Sequence, residues 1–183
     1  MLFLMNSSLN KGSNVLYKKM ILLTESQTIE NKISEDRKLE GRQDTSFSNP
    51  QPLQMIGSIT HLMLSSQLHR KYKICSIAER FVPSLIHNQF RYYEIDCNPI
   101  GFVNWAWLTD EVEQKFLTGK YVLKLDEWKG GNNLWFPEFI APFSHARLII
   151  KDLRSNIFPK GTPAKSFKIN PDGTLKSIYR WTA

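Results

Sequence analysis

The run Trp135-Phe136-Pro137-Glu138-Phe139-Ile140-Ala141-Pro142-Phe143 constrains this chain more than any other stretch. It reads as a buried strand, apolar on both faces, that enters a turn set by Pro142. Its one acid, Glu138, is then either a solvated edge residue or a carboxylate held in a dry place. A buried carboxylate needs a partner. The best candidate lies far upstream, in Ser65-Ser66-Gln67-Leu68-His69-Arg70-Lys71.

With 183 residues, 42% of them hydrophobic and 12% aromatic, the chain supports one domain with a core rather than two. The formal charge is +7. From His145 onward eight Lys/Arg stand against Asp152 and Asp172, so +6 of the excess lies in the last fifth. Such a face suits nucleic acid, an anionic membrane or an acidic protein, and charge alone does not choose. A single-strand binder needs aromatics interleaved with Lys/Arg on an exposed strand. Here most aromatics sit in apolar runs, so no nucleic-acid partner is expected.

Cys75 and Cys97 have no second Cys or His at metal-ligand spacing, so neither a metal site nor a structural disulfide is expected. No Gly-x-x-x-x-Gly-Lys-Ser/Thr loop and no Gly-x-Ser-x-Gly elbow occurs, which argues against a P-loop and a serine-hydrolase triad. Met1-Leu2-Phe3-Leu4-Met5 lacks the flanks of a signal peptide. No apolar run approaches the ~20 residues of a membrane span. The expectation is a cytoplasmic protein without stable membrane insertion.

Residues 1–52 are expected to form a disordered extension, because residues 25–52 are rich in Ser, Asn, Gln, Glu and Asp. Residues 53–183 form the expected domain. Leu53, Ile56, Ile59 and Met63 predict an amphipathic helix over 53–64, with His69 in the turn at its exit. Residues 74–83 predict a second helix, with Ile74, Ile77, Ala78 and Phe81 inward and Pro83 stopping it. Strands over 90–95 and 100–107 predict a hairpin. Thr109 predicts an N-cap with Asp110 and Glu111 behind it, for a helix to about 117. Residues 122–125 suit a short strand or a loop edge. Ser144 predicts the N-cap of a helix over 145–156. Residues 166–169 and 176–181 flank Asn170-Pro171-Asp172-Gly173 as a hairpin. Periodicity thus yields an α/β (α+β) domain with a mostly antiparallel sheet flanked by helices.

Leu68-His69-Arg70-Lys71 and Trp135…Ile140-Ala141-Pro142-Phe143, with Gly101-Phe102-Val103-Asn104-Trp105-Ala106 between them, resemble the signature motifs of the RTX toxin-activating lysine acyltransferases, the hemolysin-activating family. The likeness runs from about Leu53 to about Arg180. It implies a GNAT-like acyltransferase fold. It also implies transfer of a fatty acyl chain from an acyl-carrier protein thioester to internal lysines of an RTX-type protoxin, which makes the toxin cytolytic. No cofactor beyond that thioester is implied, and a homodimer stays open. The Arg/Gln-x-x-Gly-x-Gly/Ala loop of acetyl-coenzyme-A-dependent relatives is missing, which favours a protein-borne donor. Family members usually continue past the final strand with a helical tail, whereas this sequence ends at Trp181-Thr182-Ala183.

His69 matches the family's catalytic histidine. A free lysine has a pKa near ~10.4, so the acceptor amine must lose a proton before it attacks. A neutral imidazole can take that proton as general base. A covalent acyl-histidine is the competing route. Glu138 stands where the family usually has aspartate, and there it supports the histidine by fixing its tautomer. Glutamate keeps the charge but adds a methylene. Ser66 matches a family serine near the site. With Arg70 and Lys71 it forms the expected substrate-binding set, and Lys71, Lys73 and the C-terminal basic residues would steer an acidic carrier protein. Trp105 reads as core first and acyl-channel wall second. His61, His87 and His145 read as structural or solvated. The rival reading is a catalytically impaired binding module of the same fold, for carrier protein or toxin.

Overall fold

The computed structural model describes residues 52–170 and 172–182. The expected disordered extension lies outside the described residues except for Pro52, which already belongs to a helix. That helix, α1 (Pro52–Ser65), buries Met55, Ile59, Leu62 and Met63. These positions share one face at helical spacing. The face is rotated from the expected one, because Leu53 is 57% exposed while Met55 and Leu62 pack inward. They meet Phe81, Phe102 and Ile140.

A 3-10 turn, His69–Lys71, follows the exit of α1. The single expected helix over 74–83 is two, α2 (Cys75–Arg80) and α3 (Val82–Ile86). Pro83 does not stop a helix; it sits in the first turn of α3. An orphan N–H is lost there at no cost. Ile74 is 87% exposed and has no part in the core.

Strands β1 (Phe90–Ile95) and β2 (Asn98–Asn104) form the expected antiparallel hairpin. The expected strand over 100–107 breaks at Trp105, and β3 (Ala106–Leu108) belongs to another sheet. Thr109 caps α4 (Asp110–Phe116) by accepting from the Val112 N–H. Residues 122–125 form no strand, and a 3-10 turn (Leu125–Trp128) follows. The Trp135 run is not one strand either. It is β4 (Asn133–Phe136) and β5 (Phe139–Ile140), parted at Pro137-Glu138. Ser144 lies at φ +67° and caps nothing. His145 holds the cap position of α5 (Ala146–Asp152), and a π-turn (Leu153–Ile157) extends it. The chain ends in the hairpin β6 (Pro163–Ile169) and β7 (Leu175–Thr182).

Two sheets result, β1-β2-β5 and β3-β4-β6-β7. All pairings are antiparallel except β4 with β6. The sheets are one ladder that splits. β2 pairs Phe102 with Ile140 and Val103 with Phe139, whereas β3 pairs Ala106 with Trp135 and Trp107 with Leu134. Across the gap the register slips by one residue, so Phe136 and Pro137 both stand opposite Trp105. That is a β-bulge. Proline cannot donate a ladder bond. The Trp105 N–H turns away to the Gln89 carbonyl at 3.0 Å. One core cluster lies under α1 and another joins β4, α5 and β6. A third gathers α4 and Trp135, where buried Glu113 takes Lys165 at 2.8 Å and also accepts from the Trp135 indole. Gly131 is required here: its N–H donates to the Trp107 carbonyl at 3.0 Å, and a Cβ would strike the Leu108 backbone. This architecture agrees with the α/β, mostly antiparallel expectation.

Candidate active site

The site forms where the ladder splits. β4 delivers Glu138 into the gap, and Glu138 is 3% exposed. The alternative of a solvated edge acid is therefore excluded. Its Oε2 lies 3.2 Å from His69 Nε2 and accepts from the Tyr72 hydroxyl at 3.4 Å. Its Oε1 accepts from Arg80 Nη1 at 3.0 Å. A carboxylate this deep in protein is tolerable only with such partners. The pairing expected between the two distant stretches is present.

His69 is 5% exposed on the 3-10 turn. Its Nδ1 lies 2.7 Å from Ser66 Oγ. Assigned from these partners, Nε2 carries the ring proton and donates to Glu138, while Nδ1 keeps its lone pair and accepts from the Ser66 hydroxyl. The α1 exit creates this pairing. The Arg70 N–H donates to the Ser66 carbonyl at 3.0 Å, which folds the chain back and places residues 66 and 69 on one side.

Arg80 and Tyr72 complete the constellation, and sequence reasoning named neither. Burial, then the neighbouring Glu138 charge, pushes the Tyr72 phenol well above its ordinary range, so it remains a neutral donor. Burial alone would lower the Arg80 guanidinium, but Glu138 and Tyr72 outweigh it and raise it. The Arg80 guanidinium also stands over the Tyr72 ring, 5.2 Å from its centre. Nothing local marks these two side chains, because they meet Glu138 from 66 and 58 residues away.

A cavity of about 430 Å³ opens at this point. His69, Tyr72, Arg80 and Glu138 line its polar end. Phe116, Phe136, Phe167, Leu175 and Trp181 supply an apolar wall, and Tyr121, Arg154, Ser166 and Tyr179 add polar groups to the rest. A long apolar chain with one reactive polar end fits such a shape. Arg70 and Lys71 do not line the cavity; both are exposed on the turn that carries His69. Trp105 is half-buried and packs edge-on against Phe158, 5.2 Å between ring centres. His61 is exposed, and His87 bonds the Leu125 carbonyl at 2.7 Å. His145 is half-buried ahead of α5. Cys75 and Cys97 are both exposed thiols. Among the described residues no helix is long and apolar enough to cross a membrane.

A mixed sheet flanked by helices, with a buried histidine–carboxylate pair at its split and at one end of a cavity, is consistent with a GNAT-like acyltransferase fold. Comparison with known proteins makes the class specific. The profile of the HlyC, or RTX toxin acyltransferase, family matches residues 48–181. The chain belongs to that family. It is 38% identical over 134 residues to the Synechocystis protein sll0720, covering 72% of this chain and 89% of that one. It is 38% identical over 106 residues to the lysine-acyltransferase RtxC of Vibrio cholerae, covering 57% of this chain and 69% of that one. It is 29% identical over 127 residues to the protein-lysine myristoyltransferase RtxC of Kingella kingae, covering 68% of this chain and 75% of that one.

Proposed function

We propose that this protein moves a fatty acyl chain from an acyl-carrier protein thioester to lysine side chains of an RTX-type protoxin. The observation that carries the reading is the His69–Glu138 pair, 3.2 Å apart, at the polar end of the cavity, with Ser66 Oγ behind the ring 2.7 Å from Nδ1 and outside the cavity lining. The acyl chain lies along Phe116, Phe136 and Phe167. The acceptor amine reaches the Nδ1 lone pair by displacing the Ser66 hydroxyl. His69 takes a proton from the ammonium, and the amine attacks the thioester carbonyl. The C–N bond forms and the C–S bond breaks; the departing sulfur takes the proton back from His69, and the second proton shed by the attacking nitrogen passes to water. Glu138 holds the ring in the tautomer this needs and balances the charge it acquires. Arg70 and Lys71 steer the acidic carrier to this face. No metal or nucleotide takes part in this scheme.

Intact mass of a candidate RTX protoxin, after incubation with this protein and carrier loaded with a long acyl chain, tests the reading. An acyl-sized gain on lysine that is lost in His69→Ala supports it. Binding of carrier without any gain would instead make the protein an impaired binding module. Incubation with donor alone separates the chemical routes. The covalent route leaves an acyl-sized mass on the enzyme, and the general-base route leaves none.

A further inference from the structure

Glu138 is gripped at both ends. Its backbone is held by Asn104, which is fully buried. The Asn104 N–H donates to the Glu138 carbonyl at 3.1 Å, and the Glu138 N–H donates to Asn104 Oδ1 at 2.9 Å. Asn104 thus closes the ladder with its side chain at the level where the backbone register fails. Its Nδ2 donates onward to the Arg80 carbonyl at 2.9 Å and to Ser84 Oγ at 3.2 Å. The same Arg80 sends its guanidinium back to Glu138 Oε1. The ring Asn104–Arg80–Glu138 therefore ties the end of α2 to both strands at the split.

The carboxylate has two oxygens and two jobs. If Oε1 were free, the group could rotate about its last bond and present either oxygen, or neither, to the imidazole. Arg80 occupies Oε1, so Oε2 is the oxygen left for His69 and Tyr72. Glutamate has one more rotatable bond than aspartate, and a second anchor removes that freedom. We propose that Arg80 is a positioning residue of this site: together with Asn104 it orients Glu138 so that Oε2 faces His69 Nε2. This rests on the assignment of His69 and Glu138 to the acyl-transfer chemistry. Arg80 is the member of the ring open to test, because its side chain is 41% exposed whereas Asn104 is fully buried.

The experiment compares wild type, Arg80→Lys, Arg80→Gln and Arg80→Ala as full chains, by steady-state acyl transfer and by ¹⁵N NMR of the histidine rings. In Arg80→Ala kcat should fall about 10²-fold, the scale set by a misplacement of about 1 Å, with KM for the donor nearly unchanged. Guanidinium chloride below denaturing concentration should restore part of the loss in Arg80→Ala and none in Arg80→Gln, whose side chain fills the space. Arg80→Lys should retain more activity than Arg80→Gln. The His69 ring signals should depart from the Nε2–H tautomer in the Ala and Gln variants. Wild-type kcat in Arg80→Ala, with unchanged ring signals, overturns the proposal. A kcat loss indifferent to guanidinium, with His69 signals as in wild type, also overturns it. Should the wild type transfer no acyl group, the reading of function fails by itself. The ring signals then decide alone whether Arg80 sets the His69–Glu138 contact.

Discussion

At the scale of single residues, the site depends on how a buried carboxylate is shared. Glu138→Gln keeps the shape but leaves Arg80 without its counter-charge and Nε2–H without a carboxylate. Its kcat should fall about 10²-fold with thioester-release kinetics as the readout, and His69→Ala should fall by about 10² to 10⁴. Tyr72→Phe is the control. Its 3.4 Å contact is long, so its loss should change the barrier by less than about 1 kcal/mol. A Glu138→Gln enzyme no slower than Tyr72→Phe would remove Glu138 from the mechanism. Glu138 was legible in the sequence as the one acid in an apolar run, and His69 through its place in the Leu68-His69-Arg70-Lys71 motif that resembles the family's. Arg80 was not, since a basic residue at a helix end is ordinarily a solvated charge.

At the scale of elements, two junctions carry predictions. Asp152 at the end of α5 accepts from Tyr93 at 2.7 Å and from Asn156 at 2.7 Å, with Arg91 3.7 Å away. Burial would raise its carboxyl, but these partners outweigh burial and hold it below the ordinary range. A carboxyl so depressed adds stability that is fully present above its unfolded value, near ~3.9, and lost as pH falls through the folded value. Asp152→Asn should therefore cost about 1 kcal/mol at neutral pH, and the gap should close in acid once pH has fallen through the folded value. Urea unfolding at both pH values checks this; a gap that persists in acid contradicts it. Gly131→Ala meets backbone rather than a yielding side chain, so β3 and β4 must separate locally. A loss of about 1–3 kcal/mol in thermal or urea unfolding is expected, and a neutral result would mean the turn relaxes freely.

At the scale of the whole molecule, the distribution of charge governs encounter rather than chemistry. Raising ionic strength from low to physiological levels should lower kcat/KM for carrier-borne donor, on the order of tenfold, and leave kcat unchanged. Charge reversal of Arg70 and Lys71 together should reduce that salt dependence. A kcat/KM independent of salt would remove the electrostatic steering. The cavity belongs to this scale as well. Its apolar wall draws on α4, β4, β6 and β7, so it exists only when all four are packed together.

The sequence by itself determined the class of fold, both ends of the histidine–carboxylate pair and the Thr109 cap. Each of these is written locally: a period, a cap residue, one acid in an apolar run for Glu138, and for His69 a four-residue motif that resembles the family's. Only the tertiary structure decided that the Trp135 run is two strands. A bulge is a mismatch between partners, and Trp105 lies 30 or more residues from the Phe136-Pro137 step it fails to match. For the same reason Arg80 and Asn104 emerged only in three dimensions. Their roles are bonds to Glu138 across 58 and 34 residues, and no local spacing records which distant atom a side chain will meet.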